Sequence, residues 1–247
     1  MNDMVKRLLI GFAVNLAFGM VAFMREMVDD TGFFAGVVLF TLVYVFMGWQ
    51  AYTIIIGFFI MMGLAINLEN KDKARKGEFE LYKAKRTYER VLGRSLAGAI
   101  FAALYFLTER PEFKVAFVAG YAEAICDTVS TKLGKALSRD ALSIMTLRKV
   151  RHGTPGGISV PGTTFGIIAA VLLGGVAFAV RLITSQELYI VIPSALIGAA
   201  ADSFLNAFSY QKKRIPNELI NVLGSVIAGL FAIWGYWLLH GPLGIKP

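Results

Sequence analysis

Three acidic residues lie inside long apolar runs: Glu123, Asp127 and Asp202. An aspartate within a membrane helix costs about 2.5–3.5 kcal/mol on insertion scales and normally faces the protein interior or water. Glu123 and Asp127 are four residues apart, so on a helix they share one face. Two carboxylates on one face repel each other unless a cation lies between them. Such oxygen ligands suit Mg²⁺, which is held by one or two carboxylates plus substrate phosphates. The competing reading is pairing with Lys132, Arg94 or a helix terminus. Asp127 and Asp202 also sit in a weak internal echo. Ala124-Ile-Cys-Asp-Thr128 and Ala199-Ala-Ala-Asp-Ser203 each place a hydroxyl residue directly after the acid.

A second stretch, Arg148 to Thr163, carries three cations, four glycines, two prolines and several hydroxyls. Glycine allows positive φ and close backbone approach. Consecutive backbone N–H groups in such turns form anion-binding nests, and a following helix N-terminus adds partial positive charge. Lys149 and Arg151 would supply full charges, so the stretch reads as a phosphate-binding loop. It also reads as a basic loop rich in turn residues. It lacks the Gly-Lys-Ser/Thr ending of a Walker A motif. A third stretch, Pro216-Asn-Glu-Leu-Ile-Asn221, puts Asn217 and Asn221 on one helix face. Asn217 is a good N-cap. Asn221, one turn deeper among apolar residues, needs a polar partner.

Together these groups suit phosphoryl transfer, which requires a metal on phosphate oxygens, cations on the developing charge and positioning. The elements that must position them are set by composition. The chain has 247 residues, of which 56% are hydrophobic, above the 45–50% usual in soluble domains. Several apolar runs reach the ~17–25 residues needed to cross a bilayer. The expected fold is an all-α polytopic transmembrane bundle with about eight spans, near 4–24, 33–49, 51–67, 91–107, 112–133, 161–180, 188–208 and 218–239. Spans two and three are separated only by Gly48-Trp-Gln-Ala, which predicts a tight hairpin. Residues 1–247 read as one membrane domain: three N-terminal spans over 1–68, a basic loop over 69–90, and a five-span catalytic part over 91–247. Met1 to Arg7 leads into an apolar run without a small-residue cleavage site, so no cleavable signal is expected.

The net charge is +8. In a soluble chain that would point to nucleic acid. In this one it reads as loop charge that fixes topology and meets anionic lipid, with no nucleic-acid partner. Segments 69–94, 127–160 and 209–217 hold 18 of the 25 Lys and Arg, and all fall on one side of an eight-span bundle. Positive-inside orientation makes that side cytoplasmic, with both termini on the other. The single cysteine, Cys126, and only two histidines exclude an intramolecular disulfide and any cysteine- or histidine-rich metal site.

Five elements make the chain resemble the phytyl-phosphate kinase family of integral membrane proteins, which includes a poorly characterised animal transmembrane protein. They are Arg86-Thr-Tyr-Glu-Arg-Val-Leu-Gly93, Cys126-Asp-Thr-Val-Ser-Thr-Lys-Leu-Gly134, Arg148 to Thr163, Gly198-Ala-Ala-Ala-Asp-Ser203, and Pro216 to Asn221. The order and spacing match over about residues 86–221. One departure is Gly93-Arg94, where relatives commonly carry Ala-Asn. The resemblance implies a kinase that transfers a phosphoryl group from CTP, or another nucleoside triphosphate, to an isoprenyl monophosphate. Mg²⁺ is the implied cofactor. The implied site residues are Asp127, Asp202, Gly153, Thr154, Gly156, Gly157, Asn217 and Asn221. Lys149 joins the two aspartates as a catalytic candidate. Arg151, Arg90, Lys132 and Ser159, all within the matching elements, complete the nucleotide- and substrate-binding set. Asp127, Asp202 and Glu123 are the candidate metal ligands. The expected setting is a multi-pass membrane protein, in the plasma membrane if the source is prokaryotic, with the site facing the cytoplasm.

Two other classes use the same residues. A lipid or ion transporter would use the buried acids as a relay and the glycines as helix breaks. A cytidylyltransferase would use the same Mg²⁺ and CTP but release pyrophosphate. The clustering of basic and polar groups on one side favours the kinase over the transporter.

Overall fold

The computed structural model describes residues 3–75, 85–138, 140–151, 153–212 and 215–241. Residues 76–84 of the expected basic segment, and His152, lie outside them. Seven helices run in order: α1 (Asp3–Met24), α2 (Asp30–Arg75), α3 (Tyr88–Thr108), α4 (Glu112–Leu137), α5 (Val160–Ala179), α6 (Ser185–Lys212) and α7 (Asn217–His240). Three short strands lie between α4 and α5: β1 (Asp140–Ser143), β2 (Lys149–Arg151) and β3 (Gly157–Ile158).

α2 spans 46 residues, but Gly48 breaks it with φ 76° and ψ −165°. Only glycine adopts such backbone angles without strain. In a straight helix Phe40 and Phe59 would be about 28 Å apart. Their rings instead meet edge to face at 5.3 Å, and Tyr44 meets Tyr52 at 5.7 Å. α2 is therefore a hairpin of two antiparallel arms that turns where the sequence predicts.

Six helices among the described residues are long and apolar enough to cross a membrane. α2 counts once among them although it folds back. α4 is not among them; it carries Glu112, Lys114, Glu123, Asp127, Lys132 and Lys135. The all-helical membrane class is borne out, whereas the figure of eight spans requires both α2 arms and α4 to cross and stays a proposal.

α4 is the axis of the bundle and packs against α2, α3, α5, α6 and α7. Val115 to Val129 is buried almost without a break. A helix enclosed on all sides has no polar face to give to solvent, so its acids must find partners inside. Small residues permit the close packing this needs. A Cβ on Gly98 would collide with the Tyr121 ring, and one on Gly198 would lie 2.7 Å from Glu123 Cγ. α1 is peripheral and packs on α2. Its one buried amide, Asn15, accepts a hydrogen bond from Tyr52 at 2.9 Å and donates to the Gly11 carbonyl.

The start of α3 is clamped by the α1–α2 turn. Arg86 N–H donates to the Met27 carbonyl and Asp29 N–H to the Arg86 carbonyl. Gly32 sits against that same carbonyl with no room for a Cβ. Asp29 closes the turn by accepting from Gly32 N–H and Thr31 Oγ1, both at 2.8 Å.

The strands amend the all-helical expectation. β1 pairs antiparallel with both β2 and β3, in the order β2-β1-β3. In β1 the side chains alternate, with Ala141 buried between exposed neighbours. That two-residue period is the signature of a half-buried strand, but four residues are too few to stand out in sequence.

Candidate functional site

A cavity of about 330 Å³ opens at one end of the bundle. The start of α3, the end of α4, the loop before α5, the end of α6 and the start of α7 all meet there. Alternate helices run in opposite directions, so residues remote in sequence reach one depth. Asp127, Lys132, Gly153, Thr154, Gly156, Gly157, Ser159, Asp202, Asn217 and Asn221 all line it.

The glycine-rich loop is seated by contact with two helices. Gly156 has φ +73°, and a Cβ there would collide with Ala207 Cβ on α6. Gly153 has φ +82° but faces open space, with Lys135 Cε the nearest atom at 3.8 Å. Gly157 N–H donates to the Thr154 carbonyl, and Ile144 N–H to the Gly156 carbonyl. Ser159 then caps α5, its Oγ accepting from Gly162 N–H at 3.2 Å, with a proline in the first turn. Gly162 and Gly134 let α5 start hard against α4, where a Cβ on Gly162 would lie 2.6 Å from the Ser130 carbonyl. The N-terminal end of α5 is thereby fixed at the cavity, and a helix N-terminus favours an anion.

Arg94 donates to Asp127 Oδ2 at 2.9 Å in a partly buried ion pair. Asp202 Oδ1 accepts from Asn206 Nδ2 at 2.7 Å. Lys132, on the wall, is paired at 2.8 Å with the buried Glu69 at the end of α2. Just before α3, burial and the charges of Arg94 and Arg90 hold the Arg86 guanidinium below its usual range. Three arginines therefore crowd the approach to the cavity.

Several expectations change. Lys149 and Arg151 do not line the cavity; both are exposed on β2, the edge strand. They project from a strand because this stretch pairs with β1 and does not fold into a nest. Arg90 is exposed on the first turn of α3, outside the lining. Asn217 does not cap α7. It is the first helical residue, and Pro216 stands at the cap position without a side-chain bond. Glu123 lies beneath the cavity, with Oε2 accepting from Ser225 Oγ at 2.6 Å. Among the described residues no three His, Cys, Asp or Glu side chains are placed to hold a metal, so Asp127, Asp202 and Glu123 do not form a three-carboxylate centre. Asp127 and Asp202 on the wall of a phosphate-sized cavity fit the sparser requirement of Mg²⁺, which takes one or two carboxylates and completes its shell with phosphate oxygens and water.

The lining residues not picked out as site residues from the sequence include Arg94, Lys135 and Asn206. A signal existed for two. Arg94 is a cation inside an apolar span, and Asn206 follows Asp202 by one helical turn. Lys135 sits among other loop cations and has no such mark. A second hollow, of about 410 Å³, lies at the opposite end beside Lys114, Arg181 and Glu187, and no expected site residue lines it.

The fold and this wall of acids, cations and glycines define a multi-pass helical membrane protein with a polar site at one end of its bundle. The chain belongs to the family described as integral membrane protein DUF92, whose sequence profile matches residues 13–229. The likeness inferred from the five motifs is borne out at that level. Among its relatives is the uncharacterized membrane protein sll0875 of Synechocystis sp., 26% identical over 213 residues, which are 85% of this chain and 83% of that protein. Protein VTE6, chloroplastic, of Arabidopsis thaliana is 28% identical over 211 residues, 80% of this chain and 63% of that longer protein. The uncharacterized membrane protein MJ0933 of Methanocaldococcus jannaschii is 24% identical over 238 residues, 94% of this chain and 96% of that protein. No solved structure matches the chain.

Proposed function

We propose that the protein is a membrane kinase that transfers the terminal phosphoryl group of CTP, or another nucleoside triphosphate, to an isoprenyl monophosphate. What carries this reading is one cavity that gathers two carboxylates, three cations, a seated glycine loop and a capped helix N-terminus. The resemblance to phytyl-phosphate kinases supplies the substrate class.

A phosphate monoester has its second pKa near 6, so the lipid phosphate is already a nucleophile at neutral pH. Asp127 and Asp202 are thus not needed to remove a proton. Their role is to hold Mg²⁺, which when bound neutralises charge on the phosphates. An oxygen of the lipid phosphate attacks the terminal phosphorus. The bond from that phosphorus to the β–γ bridging oxygen breaks, and the nucleoside diphosphate leaves with the electron pair. Arg94, Lys132 and Lys135 stabilise charge on the transferring group. The α5 N-terminus and the backbone of Gly153 to Gly157 hold the non-reacting phosphates. Asn217 and Asn221 orient the acceptor. Lys149, Arg151 and Arg90 act from outside the cavity by drawing the anionic nucleotide toward it. By the positive-inside rule the site faces the cytoplasm, both termini lie opposite, and the chain crosses the membrane eight times.

The test is transfer by purified protein in nanodiscs, with phytyl phosphate and CTP labelled at either the α or the γ phosphorus. The expected result is γ label in the lipid diphosphate and release of CDP. Label from the α position in the lipid, with pyrophosphate released, would make the protein a cytidylyltransferase. No transfer, with ion- or proton-driven lipid movement in liposomes, would make it a transporter.

A further inference from the structure

We propose that Glu123, Asp202, Asn221 and Ser225 form a resident divalent-cation site directly beneath the substrate cavity, filled without nucleotide. Three acceptor oxygens from three helices carry the argument. Glu123 Oε1 on α4, Asp202 Oδ2 on α6 and Asn221 Oδ1 on α7 are buried, and none has a hydrogen-bond partner among the described residues. The residues are 1%, 1% and 6% exposed. A buried oxygen left without a donor costs about 1–3 kcal/mol, more if it is charged. Two of them flank Gly224, and the third belongs to the residue three positions before it on α7, which calls for a common partner.

The geometry brings them together through α7. A Cβ built on Gly224 would lie 2.9 Å from Glu123 Oε1 and 3.3 Å from Asp202 Oδ2. The two orphan oxygens thus flank the same backbone position. Asn221 and Ser225 are one turn apart on α7, and Ser225 already touches the other oxygen of Glu123. Asn221 lines the same cavity as Asp202, one turn before Ser225 on α7.

Every donor atom in this set is oxygen, which suits a hard cation such as Mg²⁺ and excludes soft-metal chemistry. The charge count agrees. Glu123, Asp127 and Asp202 are three carboxylates, and among the described residues Arg94 is the one cation paired with any of them. One divalent ion balances the remaining two charges. Asp202 engages Asn206 on the cavity wall through Oδ1, while its Oδ2, like Glu123 Oε1, lies against Gly224. Because Asp202 and Asn221 also line the cavity, an ion held there would be open to water or a phosphate oxygen from that side. The ion's role in holding Asp202 for the transferred phosphate rests on the kinase reading; its presence does not.

The probe is Mn²⁺, titrated into nucleotide-free protein and followed by electron paramagnetic resonance, with Mg²⁺ as competitor. The expected result is one Mn²⁺ per chain, displaced by Mg²⁺. Glu123→Gln should weaken it by roughly tenfold or more, and Lys149→Ala should leave it unchanged. Asn221→Asp adds a negative ligand, so it should tighten binding, which separates loss of a ligand from loss of fold. Absence of Mn²⁺ without nucleotide, or equal affinity in Glu123→Gln and wild type, would overturn the proposal and leave a shared proton or a water as the common partner. The two readings fail separately. Bound Mn²⁺ with no phosphoryl transfer removes only the kinase, and transfer without resident Mn²⁺ removes only the ion.

Discussion

At the scale of single residues, the pairing of Arg94 with Asp127 decides what the other side chains can do. Arg94→Met should strand Asp127 and destabilise the protein by about 1–3 kcal/mol, read as a lower unfolding midpoint in detergent. Adding Asp127→Asn removes the stranded charge. The double variant should therefore be more stable than the single, with a coupling of about 0.5–3 kcal/mol. Activity should not return, because Asp127→Asn and Asp202→Asn are each expected to lose at least roughly 100-fold in kcat. Lys149 and Arg151 belong to another class. Exposed on β2, they should act through long-range attraction. Lys149→Ala/Arg151→Ala should lower kcat/KM several-fold at low ionic strength and scarcely at high salt. A salt-independent fall in kcat would instead mean that β2 closes over the substrate. Asp127 and Asp202 were legible in the sequence because an acid in an apolar run is costly wherever it points. Glu123 carries the same signal. Its depth, however, depends on the contact of α4 with Ser225, and no one-dimensional pattern records that.

At the scale of elements, the glycines sort by what a methyl group would meet. Gly156→Ala drives a Cβ into α6 at Ala207, whereas Gly153→Ala meets only the strain of positive φ. Gly153→Ala should cost about 1 kcal/mol and retain most activity. Gly156→Ala should lift the loop off α6 and lose far more, and Ala207→Gly should restore part of that loss. Equal effects at the two glycines would show that only backbone angle matters. Gly48→Ala at the α2 turn should cost about 1–3 kcal/mol in stability without altering KM, since it is remote from the cavity. That turn was legible from Gly48-Trp-Gln-Ala between two apolar runs. The strands were not, because two to four residues give no periodicity to count and the same stretch reads as a basic loop. The helix between 112 and 137 was legible as the span near 112–133, although its charges keep it out of the strictly apolar set. Its central place in the bundle is what allows six charged side chains along its length.

At the scale of the whole molecule, the cavity takes lining residues from each of the three Lys- and Arg-rich segments: Arg94, then Lys132 and Lys135, then Asn217. Single cysteines at Lys85 and Thr146 should react with a membrane-impermeant reagent from the cytoplasmic side. Those at Glu109 and Ser185 should react only from the other, with buried Cys126 silent throughout. Labelling of Lys85→Cys and Thr146→Cys from opposite sides would break the eight-crossing arrangement and the shared site with it. The order of helices was legible from apolar runs and loop charge. Which ends meet around one hollow was not, because that is set by packing on α4.

The size of that hollow has a kinetic consequence. About 330 Å³ is near the lower end for ligand pockets, enough for phosphates and too little for a long hydrocarbon chain beside them. On the kinase reading the tail stays among the lipids, and the enzyme has no gauge with which to measure it. Substrate then arrives by lateral diffusion, and its effective concentration is its mole fraction in the bilayer. Diluting phytyl phosphate with inert phospholipid at constant total substrate should slow turnover, while diluting the vesicles in buffer should not. Shorter and longer isoprenyl monophosphates should give similar maximal rates at equal surface density. A sharp optimum in chain length would place the tail inside the protein.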